Sequence, residues 1–194
     1  MKISFVTSNK NKFEEVSYWL AQMVPGIELE HVDLDVPEIQ SLDVREVVIA
    51  KAQAIWKEIQ RPFIVDDGGL YLTKFKNFPG TLSKYVYQGT GREGFWLLGK
   101  DDPRAYFLCI ILFYQGPDDY HLFEGKCLGK IIEPGNVTAP SQFPLLSMFV
   151  PDGMTKTLAE LHNSPEVQNI THRHKALVAF VDWLNLTSPD QFLV

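Results

Sequence analysis

Residues 62–72, PFIVDDGGLYL, constrain this chain more than any other stretch. Phe63, Ile64 and Val65 run straight into adjacent carboxylates, Asp66 and Asp67. Two glycines then separate these from a second apolar run, Leu70-Tyr71-Leu72. A short apolar run with β-branched residues, bounded by turn formers, reads as a buried strand. Such a strand delivers Asp66 and Asp67 to its carboxyl end, where open α/β sheets place their ligand crevices. Gly68 and Gly69 lack a Cβ, so the backbone there turns sharply or lets a ligand come close. Two readings fit the pair of carboxylates. One is a site for a hard cation such as Mg2+, which takes oxygen ligands and shares them with substrate phosphates; the other is a solvated Asp-Asp-Gly turn.

A chain of 194 residues is long enough to bury a proper core as one large domain or two small lobes. Its 45% hydrophobic and 22% charged residues are those of a soluble globular protein. The net charge of −6 argues against a nonspecific nucleic-acid binder, which carries a basic excess. It leaves room for a phosphate-rich small molecule, because a few lysines can dominate one pocket. Cys109 and Cys127 both sit in apolar, strand-like surroundings, which favours buried free thiols over a bridge or a metal site. No apolar run reaches transmembrane length, and residues 1–7 lack a secretory hydrophobic region, so the expectation is a cytoplasmic protein with no membrane partner.

Taken in order, Lys2–Val6 reads as a first buried strand, followed at once by TSNKNKFEEV. Phe13, Val16, Leu20 and Met23 have helical spacing, with Ser8 or Asn9 as N-cap. A polar loop entering a helix N-terminus is a ready anion site, and Lys10 and Lys12 add positive charge there. A capped helix with solvated lysines fits the same residues. Residues 27–32 form a second strand, and an acidic, turn-rich stretch containing Glu38 follows. Asp43 and Glu46 have capping-box spacing for a helix to about Gln60, with Val44, Val48 and Ile55 as its apolar stripe. Lys51 falls inside that stripe, where a lysine either snorkels to the edge or meets an anion.

Beyond the acidic strand, Pro79-Gly80 makes a turn, Ser83-Lys84 opens a helix and residues 94–100 form a second helical piece. Residues 106–114, strongly apolar and aromatic, and 120–132, which contain an alternating run, read as strands around Gly116-Pro117-Asp118, an antiparallel hairpin that predicts a mixed sheet. Residues 134–144 read as a loop, 145–150 as a third apolar run and 155–161 as a short helix. Thr171 caps a last helix with Leu177, Phe180 and Leu184 as its buried stripe. His172 and Arg173 in its first turn oppose the helix dipole. They make sense if an anion or electron-rich group docks there, or as a satisfied structural pair.

Several of these segments, in order, resemble the motifs of one family. They are Thr7-Ser8-Asn9-Lys10-Asn11-Lys12, Glu46 with Lys51-Ala52, and Val65-Asp66-Asp67-Gly68-Gly69-Leu70. Pro79-Gly80-x-x-Ser83, Thr157-x-Ala159-Glu160-Leu161 and Thr171-His172-Arg173-x-x-Ala176-Leu177 complete the series. The family is that of the inosine triphosphate pyrophosphatases, house-cleaning enzymes for non-standard purine nucleotides, and the resemblance covers nearly the whole chain. It implies an α/β ITPase-like fold over residues 1–194, a single domain with a long mixed sheet and two α/β lobes around a central cleft. It also implies a cytosolic homodimer that cuts a nucleoside triphosphate to monophosphate and pyrophosphate with Mg2+. By matched position, Thr7, Asn9, Lys12 and Lys51 hold the triphosphate, and Ser83, Phe143, His172 and Arg173 are further substrate contacts. Asp67 acts with the metal to activate water, while Glu38 and Asp66 help place the cation.

The base pocket departs from the family pattern. Where the family has Phe-Gly-Tyr/Trp-Asp-Pro-x-Phe, this chain has Phe143-Pro144-Leu145-Leu146-Ser147-Met148-Phe149. The family's Lys and the Asn after it fall on Val167 and Gln168. Leu146 and Val167 thus replace the Asp and Lys that the resemblance assigns to the edge of a 6-oxo purine. Leaving a ligand's polar group unpaired is costly, so base selection is expected to be altered or relaxed. A catalytically inactive nucleotide-binding relative is the alternative.

Overall fold

β1 (Lys2–Val6) is buried from Ile3 onward and lies between two parallel neighbours, β2 (Glu28–Val32) and β3 (Phe63–Leu72). All ten residues of β3 then pair antiparallel with β5 (Arg104–Gly116). β5 turns through the expected hairpin into β6 (Asp119–Ile131), and β6 pairs with β7 (Phe149–Pro151). The order β2-β1-β3-β5-β6-β7, with β4 (Pro79–Gly80) beside β3, is the mixed sheet that the hairpin predicted. This computed structural model describes residues 2–139, 144–161, 164, 167 and 169–187.

Side chains alternate across a strand, so each face of the sheet collects its own core. On one face, α1 (Lys10–Met23) and α5 (His172–Thr187) pack Val16, Leu20, Leu177 and Phe180 against Phe5, Ile64 and Ile111. On the other, α2 (Val44–Ile59) lays Val44, Val48 and Ile55 on Phe63, Val65 and Ile110. A third cluster forms farther along β3, where α3 (Ser83–Gly99), a 3-10 turn (Pro144–Met148) and α4 (Leu158–Leu161) enclose Leu70, Leu72 and Phe107. β3 therefore runs through two lobes, and its residues 66–69 cross the junction between them.

That crossing corrects one expectation: the strand does not end at Asp67, and the glycines do not turn it. Residues 66–69 stay in register with residues 108–111 of β5. The glycines serve close approach by the chain itself. A Cβ on Gly69 would strike the carbonyl oxygen of Gly80, where β4 crosses β3.

Element ends follow their local hydrogen bonds. Asn9 caps α1, its Oδ1 accepting from the amides of Asn11 (3.1 Å) and Lys12 (3.3 Å). Asp43 caps α2 through Arg45 N (2.9 Å), but Glu46 does not close the expected box. Its carboxylate takes the Ser41 hydroxyl at 2.6 Å, and Ser41 Oγ accepts from Asp43 N at 3.1 Å. The two helical pieces expected around residues 83–100 join as α3, broken only at Gly91, whose φ of 66° a residue with a side chain rarely adopts. The apolar run at 145–150 begins as the 3-10 turn because Ser147 Oγ donates to the Pro144 carbonyl at 2.9 Å. α4 starts only at Leu158 because Thr157 and Glu160 form a reciprocal capping box, Thr157 N to Glu160 Oε2 at 2.8 Å and Glu160 N to Thr157 Oγ1 at 3.3 Å. Cys109 and Cys127 are free, buried thiols, as expected. Among the described residues, no helix is long and apolar enough to cross a membrane.

Candidate active site

The adjacent carboxylates of β3 point to opposite faces of the sheet, and that separates their chemistry. Asp66, 2% exposed, faces α1 and α5. Its Oδ1 meets Lys12 Nζ at 3.0 Å and its Oδ2 meets Arg173 Nε at 3.0 Å, with Cys109 Sγ at 3.7 Å. Arg173 Nη1 continues to Glu15 Oε2 at 2.6 Å, so Lys12, Asp66, Arg173 and Glu15 form a chain of alternating charge between α1, β3 and α5. Burial alone would raise the Asp66 carboxyl. Lys12, Arg173 and Lys51 together outweigh it and hold the group ionised, well below the usual carboxylate range. Burial likewise opposes the Arg173 charge, and Glu15 and Asp66 restore it.

Asp67 faces α2 and borders a cleft lined also by Glu38, Val47, Thr81, Leu82 and Tyr85. Its Oδ1 accepts from Gly68 N at 2.6 Å. Burial is the largest influence on this carboxyl and, with help from Glu38 and Asp66, outweighs the attraction of Lys12 and Lys51, pushing it up to about 6. At the cleft edge Lys51 Nζ lies 2.5 Å from Glu38 Oε1. Burial disfavours the Lys51 ammonium, but Asp67, Glu38 and Asp66 outweigh that penalty, so the lysine keeps its charge. Inside the α2 stripe, Lys51 meets an anion.

Several expected site residues are paired within the protein. Asp66 was expected beside the cation with Glu38 and Asp67; it is turned to the other face and occupied by Lys12 and Arg173. Among the described residues, no three His, Cys, Asp or Glu side chains gather to hold a metal. Glu38 and Asp67 do share the cleft. Ser83 is tied into the frame: its buried Oγ accepts from Leu70 N at 3.0 Å, and its one proton is shared between the carbonyls of Leu70 (2.9 Å) and Gly80 (2.5 Å). Arg173 is likewise committed, and the anions at the start of α5 are the protein's own Asp66 and Glu15. Two of the α1 amides expected to meet a phosphate are taken by Asn9.

Thr7 is buried in the same turn, and its Oγ1 accepts from Asn9 N at 3.1 Å. His172 stacks on Phe107 (centroids 4.9 Å apart, rings 16° from parallel), and burial, then Arg173, keep it neutral by lowering its pKa far below the usual value. Phe143 and Gln168 lie outside the described residues. Leu146 and Val167 both join the apolar cluster of the second lobe, Val167 at 5% exposure. Sequence reasoning missed Glu15 as the closing member of the charge chain, although its i, i+3 spacing from Lys12 places both on one face of α1.

A long mixed sheet shared by two lobes, with helices on both faces, makes this an α/β protein of the ITPase-like fold. The chain belongs to the Ham1 family, whose model matches residues 3–183. It is 37% identical over 96% of its length to a dITP/XTP pyrophosphatase of Pyrococcus horikoshii, covering 98% of that protein. It is 38% identical to an inosine triphosphate pyrophosphatase of Yarrowia lipolytica, covering 91% of this chain and 92% of the relative. Among solved structures, a HAM1 protein from Coxiella burnetii shares the fold with a TM-score of 0.77 at 21% identity, over 96% of this chain and all of the other.

Proposed function

We propose that the chain is a Mg2+-dependent nucleoside triphosphate pyrophosphatase that releases the nucleoside monophosphate and pyrophosphate, with looser base selection than its relatives. The observation that carries this reading is the cleft in which the buried Asp67, its carboxyl raised by burial, lies with Glu38, whose Oε1 is 2.5 Å from Lys51 Nζ. A base whose pKa lies near the working pH is suited to taking a proton from water. The relatives are dITP/XTP and inosine triphosphate pyrophosphatases, and hydrolysis of a triphosphate requires a proton to leave the attacking water.

In this reading Asp67 takes a proton from the attacking water. The water oxygen bonds to the α-phosphorus as the bond to the pyrophosphate oxygen breaks, and pyrophosphate leaves. Lys51 and Lys12 supply fixed positive charge to the phosphate oxygens, which compete with Glu38 and Asp66 for them. Asp67 and Glu38 are hard oxygen donors and fit Mg2+, which binds through one or two carboxylates together with substrate phosphates. When bound, the ion offsets charge growing on the phosphoryl oxygens and acidifies water. Asp66, already paired twice, has no part in holding it.

Looser base selection is supported by Leu146 and Val167, packed among apolar side chains with no polar group to offer a base edge. Hydrophobic pockets discriminate weakly, whereas sites built to pair with a polar edge discriminate strongly. Steady-state kinetics on ITP, XTP, ATP and GTP with Mg2+, following pyrophosphate release, test both parts. Turnover of all four with shallow selectivity is expected. Strong preference for ITP and XTP contradicts the base argument, and triphosphate binding without pyrophosphate release contradicts the enzyme. The resemblance also points to a homodimer, which sedimentation of the purified protein tests.

A further inference from the structure

β2 does more than flank β1: its His31 grips the turn that carries Thr7, Asn9 and Lys12 from two sides. The His31 ring stacks on Phe13 of α1, with centroids 4.5 Å apart and planes 21° from parallel. Its Nε2 lies 2.8 Å from the Thr7 carbonyl oxygen. A carbonyl only accepts, so this contact fixes the tautomer with the proton on Nε2. The neighbouring Val32 carbonyl accepts from Thr7 N at 3.1 Å. Both backbone polar groups of Thr7 are therefore held by consecutive residues of β2. The Thr7 hydroxyl in turn fixes Asn9 N at 3.1 Å, and Asn9 Oδ1 fixes Lys12 N at 3.3 Å. A continuous relay runs from one imidazole to the backbone of Lys12.

We propose that His31 is a positioning residue for triphosphate binding, acting through the Thr7 carbonyl to set the 7–12 turn. The proposal rests on the reading of that turn as a phosphate holder. Two other features of the imidazole match the role. Its stack on Phe13 ties the first turn of α1 to the sheet, so the turn is anchored at both ends. The ring itself is half-buried rather than sealed in the core, which places its hydrogen bond at the surface where the turn meets solvent.

Two substitutions separate the donor from the ring. His31→Phe keeps a ring on Phe13 and deletes the donor; His31→Gln keeps an N–H at the position of Nε2 and deletes the ring. The probe is inorganic tripolyphosphate with Mg2+, titrated calorimetrically, which removes the base from the question. Losing one ordering hydrogen bond predicts binding about tenfold weaker in His31→Phe, while His31→Gln stays within about twofold of wild type. A purely structural histidine lowers Tm in both variants and leaves the Kd of the folded protein unchanged; that result overturns the proposal. So does a tenfold loss in His31→Gln, which decides the matter even if His31→Phe does not fold. Lys12→Ala distinguishes the two levels of the argument. If it leaves tripolyphosphate binding unchanged, the phosphate reading of the turn fails and His31 with it; if it weakens binding and His31→Phe does not, only the His31 inference fails.

Discussion

Asp67 carries its raised pKa at a cost in stability, and the sign of that cost can be measured. Its folded-state value of about 6 lies above the ordinary aspartate range, so the fold favours the protonated form. The stabilising contribution of that protonated form is fully present below about pH 4 and is lost as pH rises through 6. Asp67→Asn mimics the protonated form at every pH. In metal-free protein it should raise stability at pH 7–8 by up to about 3 kcal/mol, with the gain vanishing near pH 4. Urea unfolding at several pH values checks this, and a variant no more stable than wild type at pH 8 contradicts the burial argument. Asp66 behaves oppositely. Its depressed pKa stabilises the fold above the ordinary aspartate value, and that contribution is lost progressively as pH falls below about 4. Two neighbours in sequence thus have opposite linkage because the strand sends them to opposite faces. The sequence showed both carboxylates and the lysines near them, but strand alternation through the glycines, and hence the division of roles, depended on β4 and β5 closing over Gly69 and Gly68.

Between elements, the chain of Lys12, Asp66, Arg173 and Glu15 joins α1, β3 and α5 across the first lobe. Arg173→Ala leaves Asp66 and Glu15 without their shared cation, and breaking a buried pair from one side costs about 3–5 kcal/mol. Thermal unfolding that shifts only marginally in Arg173→Ala argues that the network is dispensable. At the start of α2, Asp43→Ala removes the side-chain acceptor of Arg45 N and should cost about 1 kcal/mol in the same assay. Most element boundaries were legible from caps and periodicity: Asn9, Asp43 and Thr171 cap α1, α2 and α5 as their sequences indicated. Local sequence is silent where long-range partners decide. The 3-10 turn at Pro144–Met148 and the joining of α3 across Gly91 have no signal in local periodicity, and the Arg173 partners Glu15 and Asp66 lie too far off in the chain for sequence to choose between its two readings.

The molecule as a whole puts its charged groups at the crossing of β3 between the lobes, and Leu146 and Val167 in the apolar cluster of the second lobe. Val167 is buried among Met148, Leu158 and Leu161, so Val167→Lys would strand a charge in an apolar cluster. Leu146→Asp with Val167→Lys is therefore expected to destabilise this lobe by several kcal/mol rather than simply sharpen selectivity. Glu38, Lys51 and Asp67, named from three separate motifs, come together in the fold: Glu38 and Asp67 line one cleft, and Lys51 pairs with Glu38. Ser83 and Arg173, read from the motifs as substrate contacts, make hydrogen bonds within the frame that local sequence does not show. The most direct test is ITP hydrolysis with Mg2+ by wild type and Asp67→Asn, with the products separated and counted. Stoichiometric inosine monophosphate and pyrophosphate from wild type, and turnover lowered at least about a hundredfold in a folded Asp67→Asn, is the predicted result. Wild-type turnover in that variant, or release of orthophosphate in place of pyrophosphate, would contradict it.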